Sequence, residues 1–367
     1  MENTGSLIRN GILLPGSQLG GYVIENRLAT GGMSHIYLAR TGTRWSHRQV
    51  VLKVLLPHLL EQSEMVKMFR YEARLASMLR HPNLVEVQGL EQAAGEEYMV
   101  MEYLRGWNLR QVLRTLLSHK LHLPRRVCLH IVLSICDCLD YIHRFRGADD
   151  QPLDIIHRDV SLENILLTRS GQIKLLDFGI AKASFIDIAT APRRVKGKLL
   201  YMAPEVVNGQ RGDQRIDVYA LGVVLYCASL MRRPYNNASQ GKLLRKIMTS
   251  EPPRPREVDP TFPEELEAII LRAMHRDLDQ RYPSAADLRR DLATHAGNTV
   301  GLMFPDELAD YVQTLVPLQD EQPQHDTGQL PAQPSGLRQM LRQALPFMLV
   351  GLCGLASGAL TAHQLLF

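Results

Sequence analysis

The apolar residues of this chain change their spacing once, near Gly106, and that change limits the fold more than any other feature. From Tyr22 to about Glu102, short runs rich in β-branched residues predict strands: Tyr22-Val-Ile, Ile36-Tyr-Leu-Ala and Gln49-Val-Val-Leu-Lys-Val-Leu. One helix interrupts them, because Met65, Met68, Phe69, Ala73, Leu75, Ala76 and Leu79 recur at helical spacing from Glu64 to Leu79. His81-Pro82-Asn83 stops it. Beyond Gly106 the period is helical, and Val127–His143 and Val218–Leu230 are apolar on most faces, as buried helices are. A small strand-rich part followed by a larger helical part predicts an α+β fold with a cleft between two lobes.

The 367 residues suffice for such a pair of lobes. With 42 Lys and Arg against 38 Asp and Glu, the net charge of +4 argues against a polyanionic partner, so no nucleic acid is expected. The five cysteines show no paired CxxC spacing, which reads as reduced thiols of a cytosolic protein. Met1–Asn10 lacks a secretory signal, and Gly11–Pro15 is too short an apolar run, so the globular part is expected in the cytoplasm.

The chemistry concentrates in three stretches: His157-Arg-Asp-Val-Ser-Leu-Glu-Asn164, Asp177-Phe-Gly179 and Ala203-Pro-Glu205. In this order, after a glycine pair at Gly31-Gly32 and a strand lysine at Lys53, they resemble the protein-kinase signature set. The chain is similar to the bacterial eukaryotic-like (Hanks-type) serine/threonine protein kinases from Tyr22 to His295, roughly three quarters of its length. The resemblance implies a bilobal protein-kinase fold over residues 22–296, with an N-lobe 22–104 and a C-lobe 105–296. It also implies transfer of the γ-phosphate of ATP to a protein hydroxyl, with Mg2+ as cofactor.

On that resemblance each residue takes a role. Asp159 orients the acceptor hydroxyl and takes its proton, while Asn164 and Asp177 supply hard oxygen ligands to Mg2+. Lys53, steadied by Glu72, contacts the α- and β-phosphates. Leu28, Ile36, Val51 and Leu166 sandwich the adenine, Met101 is the gatekeeper, and the backbones of Glu102 and Leu104 bond its edge. Asp217 braces the catalytic loop, and Arg281 pairs with Glu205. The glycine loop, Leu28-Ala-Thr-Gly-Gly-Met-Ser-His-Ile36, departs from the pattern. Ala29 and Ser34 replace two glycines and only Gly31 keeps its place, with Gly32 beside it. Weaker ATP binding is expected.

A second departure concerns charge. Relatives carry Lys two residues past the catalytic Asp and Thr after the glycine that precedes the Ala-Pro-Glu triplet; here these positions hold Ser161 and Lys198. The exchange predicts that Lys198 supplies the γ-phosphate charge from the opposite wall, with Ser161 as its hydroxyl partner. The opposing reading is a loss of catalytic power with Lys198 a basic loop residue. Between Gly179 and Gly197 the hydroxyls are Ser184 and Thr190, and Thr190 is the better phosphorylation candidate, near Arg193, Arg194 and Lys196. Arg146–Leu153 reads as an exposed insertion.

Outside the domain, residues 1–21 read as an N-terminal extension, 297–316 as a helical extension and 317–336 as a disordered linker rich in Pro, Gln, Asp and Ser. Residues 337–367 read as a juxtamembrane segment and a transmembrane helix at about 345–366. The 23 residues from Leu345 to Phe367 make a helix of about 34 Å, enough for a hydrocarbon core of ~30 Å. Arg338 and Arg342 on its flank imply a single-pass membrane protein with its kinase domain in the cytoplasm and a lipid partner. Gly354-Leu-Ala-Ser-Gly358 has the GxxxG spacing that allows a homodimer. With Phe367 last, no sensor is expected beyond the span. The rival to an active kinase is a pseudokinase, a nucleotide-binding scaffold favoured by Ala29, Ser34 and Ser161. A small-molecule phosphotransferase is disfavoured by Ala203-Pro-Glu205 and Asp217.

Overall fold

The computed structural model describes residues 8–9, 12–41, 48–179, 198–235 and 239–320. Ser184, Thr190 and the neighbouring basic residues lie outside the described residues, as do positions 321–336 of the linker and the apolar segment at 345–366.

The small lobe is a six-stranded antiparallel sheet in the order Gln18–Leu19, Tyr22–Thr30, Ser34–Thr41, Gln49–Leu55, Glu96–Glu102, Val87–Ala93. Alternation along a strand sorts side chains to two faces. On one face Ile36 lies opposite Lys53, Lys53 opposite Met99, and Val51 between Leu38 and Met101. On the other, Val50, Leu52 and Val54 join Tyr37, Ala39, Tyr98 and Val100 in a separate core. Leu13 and Leu19 complete that core, and the Leu13 N–H donates to the Tyr37 hydroxyl at 3.2 Å. Residues 12–19, set outside the domain by sequence, are therefore packed on the sheet; two-residue strands are too short to show a period.

The first face is covered by the helix Ser63–Met78, which agrees with its expected bounds to within one residue. It buries Met65, Phe69, Ala73, Leu75 and Ala76, and on the same stripe one carboxylate, Glu72. Below the hinge, Asn108 and Gln111 form a reciprocal capping box that starts the helix Leu109–Ser118. The helices Arg125–His143 and Arg215–Leu230 pack together at the centre of the large lobe. A small sheet, in the order Ile173–Leu175, Ile165–Thr168, Gly106–Asn108, holds the loop 157–164 against them. The four described cysteines are buried, and burial pushes their thiols up, so they behave as apolar core groups.

The lobes are stapled at one strap. Leu175 N–H donates to Asn83 O (2.7 Å), Val85 N–H to Leu175 O (3.0 Å) and Asn83 Nδ2 to Ile173 O (2.9 Å). After the helix Ala285–Thr299 the chain turns into a last helix, Pro305–Asp320, which buries Leu308, Val312 and Leu315. Arg126 grips its first turn through Glu307 (2.7 and 2.8 Å), and Gln313 Nε2 donates to Arg169 O at 2.8 Å. Gly171, at φ +77°, has no room for a Cβ, which would meet the Ala309 backbone at 2.6 Å. Helix thus continues four residues past 316, through Pro317, where composition alone suggested a linker. Among the described residues no helix is long and apolar enough to cross a membrane.

Candidate active site

Between the lobes, the sheet, the Glu72 helix and the loop 157–164 bring charged groups into contact. Lys53 projects from its strand on the cleft face and is 9 % exposed. Its ammonium lies 2.6 Å from Glu72 Oε1 and 3.2 Å from Asp177 Oδ1. Burial alone would lower the Lys53 pKa; the carboxylates of Asp177 and Glu72 outweigh it and raise it, so the ammonium is fixed as a cation. Glu72 can serve because the helix carries it, 5 % exposed, on the stripe that faces the sheet.

The loop beneath is held in unusual backbone geometry. Arg158 and Asp177 have φ of +65° and +40°, conformations that cost non-glycine residues energy and concentrate at functional sites. Asp217, fully buried near the start of the Arg215–Leu230 helix, supplies the compensation. Its Oδ1 accepts the Arg158 N–H and its Oδ2 the His157 N–H, each at 2.8 Å, while His143 Nε2 lies 2.9 Å from Oδ2. Burial would raise the Asp217 pKa; the hydrogen bond and charge of His143, then the charge and N–H of His157, reverse this and hold the carboxyl below its ordinary range. His157 in turn packs its ring on Phe178 (4.8 Å between centroids) and bonds Leu176 O at 3.1 Å.

Asp159, 6 % exposed, sits in this frame. Asn164 Nδ2 donates to its backbone O and to its Oδ2, both at 2.8 Å, and Leu176 N–H donates to Asn164 O at 2.8 Å. One backbone bond thus connects the Asp159–Asn164 pair to the residue preceding Asp177. Lys53, Glu72, Asp159, Asn164 and Asp177 form one connected constellation. Lys198 joins it, its Nζ lying 2.5 Å from Asp159 Oδ2. Ser161 does not take the part expected of it. Its side-chain oxygen is buried without a hydrogen-bond partner among the described residues, and Lys198 bonds Asp159 instead. The stronger attraction of an ammonium for a carboxylate than for a hydroxyl accounts for the choice.

The apolar slot runs along the cleft edge. Leu28 is exposed, and Ile36, Val51, Leu104 and Leu166 are half-buried, whereas Met101 is buried behind them. Exposed apolar surface of this kind on two facing lobes suits a flat aromatic ligand. Gly31 and Gly32 close the Tyr22–Thr30/Ser34–Thr41 hairpin above it. A Cβ on Gly32 would meet nothing within 4 Å and one on Gly31 nothing closer than the Ser34 carbonyl at 3.4 Å, so the fold itself does not demand glycine there. Close approach of a ligand to the backbone is the use that remains. At the hinge, the Glu102 N–H is taken by Glu86 O at 3.0 Å, so of its two backbone groups only the carbonyl could serve the expected adenine contact. Its side chain points elsewhere: Oε1 accepts from Lys174 Nζ (2.7 Å) and the Glu86 N–H (2.8 Å), a brace that the sequence reading missed. Nothing in the spacing of Lys174 and Glu102, 72 residues apart, signals it.

Lower in the large lobe, Arg281 makes a two-pronged, buried bond to Glu205 (2.7 and 3.0 Å), and also donates to the His275 and Arg215 carbonyls. This pairing matches the expectation and pins the segment after Lys198. His143 was not anticipated, since the end of a mostly apolar helix gives no sign of a charge partner.

The donor set also fits a divalent cation. Asn164 spends its Nδ2 on Asp159, so its Oδ1 is the amide atom suited to a cation, and Asp177 has two carboxylate oxygens, one of them 3.2 Å from Lys53. Among the described residues no three His, Cys, Asp or Glu side chains cluster as a protein-only cage. A hard cation held by two protein oxygens and completed by phosphates and water is the arrangement that Mg2+ favours.

A charged cleft of this make, on a strand-rich lobe set over a helical one, defines a phosphotransferase of the protein-kinase class. The sequence of residues 22–291 matches the protein kinase domain family, and the chain belongs to it. Membership implies ATP as phosphoryl donor and a divalent metal ion. The tyrosine-protein kinase MasK of Myxococcus xanthus is 43 % identical over 267 residues, 72 % of this chain and 41 % of that protein. The serine/threonine-protein kinase PrkC of Bacillus subtilis is 32 % identical over 77 % of this chain and 42 % of its own length. This chain therefore spans about two fifths of the length of these relatives. The crystal structure of the PknI kinase domain of Mycobacterium tuberculosis superposes with a TM-score of 0.60 at 26 % identity, covering 78 % of this chain and all of that one.

Proposed function

We propose that this chain is a serine/threonine protein kinase that moves the γ-phosphoryl group of Mg-ATP to a hydroxyl of a protein substrate. The supporting observation is the connected set Lys53–Glu72–Asp177 and Asp159–Asn164 facing one cleft. In that reading Asp159 orients the acceptor hydroxyl and takes its proton as the oxygen attacks phosphorus and the bond to the ADP oxygen breaks. Lys53, with Glu72 behind it, holds the α- and β-phosphates in line. Asn164 and Asp177 would hold the Mg2+, which would supply positive charge against the phosphates. Serine/threonine relatives such as PrkC support the acceptor class.

The test is transfer of labelled γ-phosphate by the full chain, with Asp159→Asn as control. Wild type should incorporate label and the variant should fall by at least about a hundredfold, the scale of general-base loss. Equal incorporation would leave the scaffold reading standing. The likeness to MasK favours a second acceptor, tyrosine; phosphoamino-acid analysis separates the two, and label on phosphotyrosine alone would overturn the serine/threonine assignment.

Residues 345–366 are proposed to anchor the kinase to a membrane as a single-pass helix with the domain in the cytoplasm, supported by their apolar run and by Arg338 and Arg342. The Gly354/Gly358 spacing supports pairing of two such helices. Extraction of the expressed chain from membranes by carbonate would count against the anchor.

A further inference from the structure

We infer that Lys198 is the catalytic cation for the transferring γ-phosphoryl group, supplied from the residues that lead into the Ala203-Pro-Glu205 triplet and not from the catalytic loop. The inference rests on the phosphotransfer proposed above and adds to it the residue that meets the third phosphate.

Phosphoryl transfer spreads negative charge over the γ-phosphate while a second anion, the Asp159 carboxylate, stands beside it. Besides the metal ion proposed above, a protein cation close to both would offset this charge. Lys53 is not placed to do so: its ammonium is held between Glu72 and Asp177 in the upper part of the cleft. The catalytic loop's own cation, Arg158, is an exposed side chain on a left-handed backbone held by Asp217. Two residues past Asp159 stands Ser161, 1 % exposed, uncharged, with an orphaned side-chain oxygen. Arg110 is taken by Glu163 at 2.6 Å. Lys198 reaches the Asp159 carboxylate itself, at 2.5 Å, with its own side chain 32 % exposed. An ammonium has three donors on a swivelling stem, so one can stay on Asp159 while another takes a phosphate oxygen.

The backbone around Lys198 makes it a fixed point. It opens a short helical turn, residues 198–201, in which Leu199, Leu200 and Tyr201 are all buried. Four residues later Glu205 is locked by Arg281. The lysine is thus anchored from its C-terminal side in the large lobe, while its N-terminal side continues directly into residues 180–197.

The experiment uses the full chain as Lys198→Thr, Lys198→Arg, Ser161→Lys and the double variant Lys198→Thr/Ser161→Lys. The first measurement needs no turnover: the ratio of affinities for ADP and for the non-hydrolysable ATP analogue AMP-PNP, with Mg2+, reads the γ-phosphate contact directly. Lys198→Thr should reduce the preference for the analogue by about tenfold or more, the worth of a charged hydrogen bond, with ADP affinity kept within about threefold. Lys198→Arg should keep most of the preference, and the double variant should regain it. The second measurement is kcat with labelled ATP and casein as acceptor. Lys198→Thr should lose kcat more than it raises the KM for ATP, and adding Ser161→Lys should recover at least about tenfold of it. An unchanged ADP/AMP-PNP ratio in Lys198→Thr overturns the inference, whatever the rate does. So does a loss of ADP and AMP-PNP binding alike, unrescued by Ser161→Lys, which would make Lys198 structural. A wild type no more active than Asp159→Asn, with a Lys198-dependent ratio, would instead sink the proposed activity and leave the phosphate contact standing.

Discussion

Asp217 carries more of the loop geometry than the residues that face the substrate. Its two oxygens meet the N–H groups of His157 and Arg158 and the His143 ring, so both are engaged. Asp217→Asn keeps the shape but turns an NH2 toward one of those donors. It should cost about 1–3 kcal/mol in chemical denaturation, because a buried donor is left unmatched. It should also slow transfer by releasing the left-handed Arg158. The pH sign follows from the depressed folded-state pKa. Unfolded, the carboxyl titrates near about 4; folded, below that. Its contribution is therefore complete above about pH 4 and is lost as pH falls through the folded value. A stability profile between pH 6 and 3 should steepen at the acid end for wild type and flatten there for Asp217→Asn. At this scale the sequence was most readable. Lys53, Asp159, Asn164, Asp177, Asp217, Glu205 and Arg281 were placed by motif, since each motif fixes a backbone position as well as a side chain, and Glu72 by its position on an amphipathic helix. Ser161 was misjudged because a hydroxyl's partner depends on which neighbour competes for the cation, and spacing carries no information about that.

Among the elements, the helix Pro305–Asp320 stands out because it lies beyond the matched family region, 22–291, yet packs as part of the large lobe. It sits against the Leu109–Ser118 helix and the turn at Gly171, and through Arg169 it touches the hinge, since the Arg169 N–H donates to Arg105 O at 2.8 Å. Leu308→Ala, at a fully buried site, should destabilise the chain by about 2–5 kcal/mol. Gly171→Ala should also destabilise it, since a Cβ there is strained by φ and collides with backbone. Thermal melts of both variants check this, and melts unchanged from wild type would show that the helix is not part of the folding unit. Long periodic elements such as Ser63–Met78 were legible to within a residue. The edge strands at residues 12–19 and the true end of the last helix were not. Two-residue strands exist only by pairing, and Pro317 reads as a breaker although a helix that is already anchored by Leu308, Val312 and Leu315 carries through it.

For the whole molecule, the lobes meet through a few polar ties: Lys53 to Asp177, Lys174 to Glu102, and the strap of residues 83–85 on 173–175. Lys174→Ala would leave the Glu102 carboxylate with a single N–H and loosen the hinge against the floor of the adenine slot. It should raise the KM for ATP several-fold while kcat changes little, a pattern of lost ground-state binding that steady-state kinetics will read. The bilobal plan itself followed from the single change in apolar spacing, but the ties between lobes did not, because they join residues far apart in sequence through pairs of common charged types. The outermost helix has a practical corollary. A laboratory fragment trimmed to residues 22–291 would be shorn of its lid at one flank and of Leu13 and Leu19 at the opposite pole. It would then show two greasy scars to solvent, and should clump on purification where a fragment spanning 12–320 stays monodisperse.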